Sequence, residues 1–125
     1  MYEVDVEAGG SREEYWAVLE FTDRKGRPHR KEIRKKRKAD KNSNILQAAV
    51  EAFQVLRVPC EVNLYIDSEY VLTPLRQRWI AAWETNGWRN ARGKPIKNAG
   101  QWQQLSVAMA WHYVMPRETR IREGR

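Results

Sequence analysis

The stretch that decides the fold runs from residue 63 to residue 105 and reads NLYIDSEYVLTPLRQRWIAAWETNGWRNARGKPIKNAGQWQQL. Its first residues, together with those just before it, alternate between apolar and polar, which predicts a β-strand over residues 60–67. Two stretches of helical spacing follow, at about residues 68–86 and 98–110, with a turn-rich segment between them. This order places Asp67 at the end of a strand, directly before a helix.

Three strands are predicted upstream, over residues 2–8, 14–22 and 29–37, with turns at residues 9–11 and 26–28. Such a series is typical of an antiparallel meander. The apolar period then becomes helical over residues 44–57, behind Asn42 or Ser43 as N-cap, and Pro59 ends this helix. A last strand is predicted over residues 112–122.

These elements predict an α/β fold in which residues 1–125 form a single domain. Its sheet is a mixed five-stranded one, made of the three-strand antiparallel meander plus parallel strands, and the helices pack on it. A chain of 125 residues with 42% hydrophobic residues is sufficient for one modest core.

The composition excludes several classes of protein. No apolar run approaches the roughly 18 residues that a membrane span needs, and the acidic amino-terminal residues do not resemble a signal peptide. Cys60 is the only cysteine, so an internal disulfide is impossible and a thiolate zinc site is not expected. We therefore expect a cytoplasmic protein with no membrane partner.

The net charge of +7 is unevenly distributed along the chain. Residues 1–23 hold seven acids and one base, whereas residues 24–41 hold eleven bases and two acids. A basic surface beside an acidic strand indicates a polyanionic partner and a local cation or proton site. Solubilising lysines, and protection of an edge strand from aggregation, explain the charge equally well.

The acids with a possible chemical role are Asp67, Glu7 and Asp5. Ligands collect at the carboxyl ends of strands in α/β sheets, where Asp67 is expected. Glu7 and Asp5 lie two residues apart on the first strand and share a face. If that strand is parallel to the strand ending at Asp67, one of them approaches Asp67 and a Mg²⁺ ion can lie between the two carboxylates. The alternatives are that Asp67 only caps a helix and that the first strand is an exposed edge.

Residues 76–90 interleave arginines with tryptophans. Trp79 and Trp83 are i, i+4 neighbours on one helix face, and Gly87 has the position of a helix C′ residue. Arginines beside aromatic rings are typical of surfaces that bind a nucleic-acid backbone. We expect the tryptophans to pack the helices, which then present the bases. His29 and His112 are isolated and are interpreted as structural or exposed.

Residues 63–105 closely resemble ribonuclease H type 1. The matching elements are Asp-Ser-x-Tyr-Val at the strand end, the W-x3-W helix, N-G-W, the turn G-K-P-x-K-N, and W-Q-x-L on the next helix. Residues 42–56 match the family's first helix through Leu46, Ala48 and Ala49. The resemblance implies a ribonuclease H-like fold and a metal-dependent endonuclease that cuts the RNA strand of an RNA–DNA hybrid, with two Mg²⁺ (or Mn²⁺) ions held by four carboxylates.

Carried over residue by residue, the resemblance assigns Asp67 to the strand-end carboxylate. Glu7 is the choice for the first-strand carboxylate, with Asp5 as the alternative. The helix position aligns with Ile45, which cannot bind a metal, and the fourth position would lie beyond Arg125, with Glu123 as the one late acid that might substitute. The metal site is therefore expected to be weak or absent.

The resemblance also implies a set of nucleic-acid-binding residues. They are Ser68, Glu69, Trp79, Trp83, Trp88, Arg89, Lys94, Lys97 and Asn98. Ser68 and Glu69 follow the strand-end aspartate, where the family faces the minor groove, and the negative charge of Glu69 opposes binding. Residues 79–97 correspond to the basic segment that holds the DNA strand.

Three functions remain as hypotheses at this point. The first is a domain that binds an RNA–DNA hybrid or duplex RNA with little or no hydrolysis, because its two-metal site is degraded. The second is an active endoribonuclease that uses Glu7, Asp67 and a third carboxylate, either Glu123 or one from a second chain. The third is a protein-interaction module, with an unknown protein partner, that reuses the fold.

Overall fold

The computed structural model describes residues 1–118, which form one five-stranded sheet and four helices. In chain order the elements are β1 (Tyr2–Gly10), β2 (Glu14–Thr22), β3 (Pro28–Lys36), α1 (Lys41–Val55), β4 (Cys60–Ile66), α2 (Glu69–Arg76), α3 (Trp79–Thr85), α4 (Ala99–Met109) and β5 (Tyr113–Glu118). No helix within these residues has the length and apolar character needed to cross a membrane.

The strand order is β3-β2-β1-β4-β5. Strands β1, β2 and β3 pair antiparallel, while β4 pairs parallel to β1 on one side and to β5 on the other. The predicted α/β architecture is thereby confirmed: a meander joined to parallel strands. Strand β1 lies at the centre of the sheet, which excludes the alternative that its acidic face belongs to an exposed edge.

The core lies between α1 and one face of the sheet. Alternate residues of β1 and β4, such as Val6 and Leu64, are fully buried on that face, as the alternating pattern predicts. Helix α1 contributes Ile45 and Phe53, and α4 contributes Trp102. The opposite face of β1 carries Glu3, Asp5 and Glu7, so the carboxylates lie on the side of the sheet away from α1.

The sequence predicted one helical stretch over residues 68–86, and this prediction was wrong in its continuity. The structure has two helices there, α2 and α3. Arg78 has a left-handed backbone with φ of 58°, which no α-helix accommodates. The amide of Gln77 still bonds the carbonyl of Thr73, whereas that of Arg78 bonds Leu75, three residues back. Helix α3 therefore starts anew at Trp79.

The predicted N-caps Asn42 and Ser43 are also wrong, because α1 starts at Lys41 with Asp40 in the N-cap position. The polar side chains in the first turn of α1 make tertiary hydrogen bonds and do not cap the helix. Arg37 Nη1 donates to Ser43 Oγ at 3.1 Å and to Asn44 Oδ1 at 2.8 Å. Asn44 is fully buried and donates in turn to the carbonyls of Ser11 and Arg37. These bonds fasten the start of α1 to the meander.

A second polar cluster fastens the middle of α1 to β2 and β3. The hydroxyl of Tyr15 donates to Glu51, which also accepts from Lys35 Nζ at 2.7 Å and Gln47 Nε2 at 3.0 Å. Burial, and then the hydrogen bond to the Glu51 carboxylate, raise the pKa of Tyr15 to about 12. Burial raises the pKa of Glu51, but the bonds from Lys35, Tyr15 and Gln47 outweigh it and hold that pKa below its usual range.

Gly10 is required because the start of α1 lies against the end of β1. A Cβ atom at residue 10 would lie 2.9 Å from Asn44 Cβ and 3.1 Å from the backbone nitrogen of Ile45. We expect Gly10→Ala to lower the free energy of unfolding by about 1–3 kcal/mol, since backbone has to move to relieve this contact. Chemical denaturation measures the change.

The matched control is Gly100→Ala in the first turn of α4, where an added Cβ meets nothing within 4 Å. It should be neutral or stabilising by up to about 1 kcal/mol, because alanine favours a helix over glycine. Equal destabilisation by both substitutions would contradict the role given to residue 10.

His112 makes the stability of the domain depend on pH. Its Nδ1 accepts the backbone N–H of Cys60 at 3.0 Å, its ring packs against Phe53, and burial lowers its pKa. The pKa of such a histidine is lower in the folded than in the unfolded chain. Its contribution to stability is therefore fully present at pH values above the unfolded-state pKa of about 6.5. That contribution is lost as the pH falls below this value.

The free energy of unfolding should therefore decrease as the pH is lowered from about 7.5 to about 5. In His112→Asn the decrease should be smaller, because an asparagine oxygen can still accept from the Cys60 amide but does not titrate. Urea titrations at each pH measure both slopes, and identical slopes would exclude His112 as the source.

Candidate nucleic-acid interface and acidic site

Asp67 is exposed at the carboxyl end of β4, between β1 and β5 in the sheet order. It does not cap a helix, since the N-cap of α2 is Ser68. Together with Ser68, Glu69 and Glu118 it lines a small polar pocket at this edge. Glu118 lies at the end of β5, opposite Ile66, and was not foreseen from the sequence because its approach depends on the parallel register of β5 with β4.

Glu7 lies on the neighbouring strand, opposite Tyr65. Asp67 follows Tyr65 by two residues, which is roughly 7 Å along the strand direction. The Oε1 atom of Glu7 is shielded from solvent. The parallel pairing thus brings Glu7 and Asp67 to neighbouring positions near one end of the sheet, although Glu7 does not line the pocket around Asp67.

Asp5 lies two residues further from this end of the sheet. It is opposite Asn63, whose Nδ2 donates to Asp5 Oδ1 at 3.0 Å. Arg117 Nε donates to Asn63 Oδ1 at 2.9 Å. This chain of hydrogen bonds from β5 to β1 gives Asp5 a structural role, so Glu7 is the better placed of the two acids.

Ile45 occupies the position on α1 where the resemblance implies a carboxylate, and it is fully buried in the apolar core. Within residues 1–118, no three His, Cys, Asp or Glu side chains are grouped so that they can hold a metal ion. Glu123 lies outside the described residues. The residues from 1 to 118 therefore offer no carboxylate group that fits a pair of metal ions.

The amino-terminal ends of three helices meet beside Asp67. Ser68 Oγ donates to Asn42 Oδ1 at 2.7 Å, which joins the start of α2 to the start of α1. Asn98, the N-cap of α4, donates through Nδ2 to the hydroxyl of Tyr70 at 3.3 Å, and that hydroxyl donates to the carbonyl of Lys97 at 2.9 Å. Helix amino termini attract anions, so their convergence favours a phosphate-bearing ligand.

The tryptophans behave as predicted, because they pack against each other while the bases remain outside. The Trp83 ring lies 5.3 Å from that of Trp102, 6.3 Å from Trp79 and 6.4 Å from Trp88. Trp102 is fully buried, whereas 44% of the Trp79 surface is exposed. The cluster thus anchors α3 to α4 and leaves one aromatic face accessible to a ligand.

The loop after α3 is held in shape by its asparagines. Gly87 has φ of 66° after the last turn of α3, which confirms its predicted C′ role, and the amide of Trp88 closes that turn on the carbonyl of Trp83 at 2.7 Å. Asn86 Nδ2 donates to the carbonyl of Arg89, and Asn90 Oδ1 accepts the amide of Lys94.

Lys94 and Lys97 are therefore presented on a preformed loop, while the Arg89 guanidinium folds back onto the carbonyl of Gly93 at 3.0 Å. The roles of Asn86 and Asn90 in shaping this loop were not predicted from the sequence. The dipeptide Asn86-Gly87 was the available signal, since it is typical of a turn.

The basic segment that follows β3 reaches the same surface. Lys97 Nζ pairs with Asp40 at 3.2 Å, so the lysines that flank Asp40 in the sequence, Lys38 and Lys41, lie near the loop. Arg37 is partly buried in its bonds to Ser43 and Asn44. The predicted strand ended at residue 37, and nothing in the sequence indicated that the residues after it lie near Lys97.

The RNase H family profile matches residues 8–117 of this chain. The chain belongs to the RNase H family. Curated relatives named Ribonuclease H are 41% identical over 87 residues in Symbiobacterium thermophilum (69% of this chain, 59% of that protein) and 39% identical over 104 residues in Bradyrhizobium diazoefficiens (78% and 64%). One in Thermus thermophilus is 46% identical over 69 residues (55% and 42%).

Solved structures of RNase H proteins share the fold. A type 1 RNase H with the type 2 active-site motif superposes with a TM-score of 0.81 at 23% identity, over 99% of this chain and 65% of that one. An RNase H1 in complex with an RNA/DNA hybrid superposes with a TM-score of 0.55 at 14% identity, over 94% and 86%. The chain thus spans 42–64% of the length of these curated RNase H relatives.

Proposed function

We propose that this RNase H family domain binds RNA–DNA hybrids, or duplex RNA of the same A-form shape, and hydrolyses them little or not at all. The observation that carries the proposal is a contrast within one surface. Polar groups suited to a nucleic-acid backbone lie at the helix amino termini beside Asp67, whereas the α1 position that would supply a carboxylate is filled by the buried Ile45.

Binding is supported by the shape and charge of this surface. Lys94 and Lys97 stand on a loop fixed by asparagine hydrogen bonds, and Trp79 offers an exposed ring at the start of the helix that precedes this loop. Ser68 and Asn42 present polar groups between the helix amino termini. Phosphate contacts of this kind supply most of the affinity for nucleic acid, and polar side chains that reach the minor groove distinguish A-form from B-form duplexes.

Weak hydrolysis is supported by the arrangement of the acids. The two-ion mechanism requires metals about 3.5–4 Å apart. The described residues bring Asp67 near one acid on each neighbouring strand, Glu7 and Glu118, but group no three such side chains so that they can hold a metal ion. Two carboxylates hold at best one Mg²⁺ (or Mn²⁺) ion, loosely, because most of its remaining ligands are then water. Glu69 adds a further negative charge at the edge where a phosphate would approach.

A second candidate is an active Mg²⁺-dependent RNA–DNA hybrid endoribonuclease, and the curated relatives named Ribonuclease H favour it. It needs Glu7, Asp67 and a third carboxylate, from Glu123 or from a second chain. Among the described residues, Glu118 is the acid best placed to supply this third carboxylate, since it lines the same pocket as Asp67.

Hydrolysis of a labelled RNA–DNA hybrid with Mg²⁺ or Mn²⁺, measured beside binding of the same hybrid, separates the candidates. We expect salt-sensitive binding without cleavage. Asp67→Asn should not weaken binding, because it removes a negative charge from the surface that the phosphates approach.

Cleavage by the unchanged domain that Asp67→Asn abolishes would overturn the proposal in favour of the second candidate. Cleavage that survives Asp67→Asn would indicate a contaminating nuclease. If the domain binds no duplex even at low salt, neither candidate stands and a protein-interaction role remains.

The salt dependence of binding identifies the phosphate contacts. We expect Lys94→Ala and Lys97→Ala each to weaken binding to all hybrid sequences alike. Each should also reduce the magnitude of the slope of log K against log salt concentration by about one, which corresponds to the loss of one phosphate contact. Fluorescence anisotropy at a series of salt concentrations gives both quantities.

Lys25→Ala is the matched control, since Lys25 is an exposed lysine in the turn between β2 and β3, at the other end of the sheet. It should leave the slope unchanged. A slope that falls equally in all three variants would show that binding depends on net charge and not on the proposed surface.

A further inference from the structure

The residue of β1 that lies alongside Asp67 is a glycine. The parallel register of β1 with β4 sets Ala8 opposite Ile66. The next residues along the two strands are Gly9 and Asp67. Since side chains alternate along a strand, position 9 shares the face of Glu7, on the side of the sheet away from α1. A side chain at residue 9 would therefore start closer to Asp67 than the side chain of Glu7 does.

The ring of Trp16 occupies the space that a side chain at residue 9 would need. Trp16 is the partner of Gly9 on β2, and its indole lies across the glycine. A Cβ atom at residue 9 would lie 2.5 Å from Trp16 Nε1, 2.7 Å from Cε2 and 2.9 Å from Cζ2. Carbon atoms that are not bonded to each other are best separated by about 3.5–4.0 Å, so all three contacts would be clashes. The glycine thus accommodates the ring, and the ring excludes any side chain at residue 9.

The Trp16 ring is held in this position from the side of β3. Arg34 is the partner of Trp16 on β3, and its guanidinium lies 5.0 Å from the centre of the ring, within the range of a cation–π contact. Arg34 Nη1 donates to Glu14 Oε1 at 3.0 Å, and Arg34 Nε lies 3.6 Å from Glu32 Oε1. Because two carboxylates fix the guanidinium, the ring cannot swing toward β3 without breaking these contacts.

We propose that Trp16 takes the place of a metal-binding side chain on β1, so that this edge of the sheet keeps divalent cations away from Asp67. A carboxylate at residue 9 would form, with Asp67, a pair of oxygen ligands on adjacent strands. The chain instead has an indole there, whose N–H is a donor only and cannot bind a cation. Together with the buried Ile45 on α1, the ring closes a second position from which a carboxylate could reach an ion. The inference rests on the proposed function, which it deepens by naming the residues that exclude the ions.

Unfolding in urea tests the fit of Gly9 with Trp16 directly. Gly9→Ala should lower the urea midpoint of the unchanged domain, because the added Cβ overlaps the ring. In a Trp16→Val background the same substitution should leave the midpoint unchanged or raise it, since glycine weakens a strand interior. Trp16→Leu, which also lacks the three ring atoms, serves if Trp16→Val does not fold. An equal loss in both backgrounds would contradict the inference, because the backbone and not the ring would then require glycine.

Binding of Mn²⁺, followed by the loss of the electron paramagnetic resonance signal of the free ion, tests the exclusion of cations. Gly9→Asp combined with Trp16→Val should bind Mn²⁺ about tenfold or more tightly than the unchanged domain, because two carboxylates then flank one ion. Trp16→Val alone adds no ligand and should change binding by less than about twofold. Gly9→Asp alone should gain less than the combined variant, since the ring still fills the space. Adding Asp67→Asn to the combined variant should remove the gain.

The matched control is Gln54→Asp combined with Trp16→Val. It adds the same charge at an exposed position near the end of α1, whereas the start of α1 is the part that lies near Asp67. An equal gain in this control would show that net charge attracts the ion and would overturn the inference. So would the absence of a gain in the combined variant, or an equal gain by Gly9→Asp alone.

Failure of this inference is distinct from failure of the proposed function, because both measurements are made without nucleic acid. A hybrid that is bound and not cleaved, with no gain of Mn²⁺ binding in the combined variant, would contradict the role of Trp16 alone. Cleavage by the unchanged domain that depends on Asp67 would contradict the proposed function, and with it the exclusion of cations by Trp16.

Discussion

Parallel pairing of β1 with β4 is the constraint on which the rest of the structure depends. It sets Val6 opposite Leu64 on the face covered by α1, and with the same register it sets Glu7 opposite Tyr65 on the other face. Because side chains alternate along a strand, a shift of one residue would bury the acids and expose the core. Burial of the apolar face therefore fixes where Glu7 lies relative to Asp67.

The binding surface and the acidic site depend on different parts of this framework. Polar contacts between helix ends, such as Ser68 with Asn42 and Asn98 with Tyr70, build the surface near Asp67. The acidic site needs carboxylates from the sheet and from α1, and α1 supplies Ile45 there, which packs in the core. Under the function proposed above, the domain would retain the binding surface without the metal site.

Much of the fold could be predicted because its signals are local. Alternation in residues 2–8 and 60–67 predicted two strands, and their pairing followed from the helix between them. The break at Arg78 was missed because a left-handed arginine leaves no mark in the sequence. The roles of Ser43 and Asn44 were missed because their partner, Arg37, is set by tertiary structure. The resemblance favoured Glu7 over Asp5, but a physical reason for that order appeared only with the register, which places Asn63 opposite Asp5.

Helix α3 has a dynamic consequence for the domain. None of its seven residues is fully buried, and it is attached to the rest of the molecule through the side chains of Ile80 and Trp83 and the hydrogen bond that Ser106 donates to Glu84. A short helix held by so little buried surface opens locally at a lower free energy than the sheet does. Its amide hydrogens should therefore exchange with solvent through partial unfolding while β1 and β4 remain protected. A duplex bound across this helix would slow that exchange, and part of its binding free energy would be spent on ordering α3.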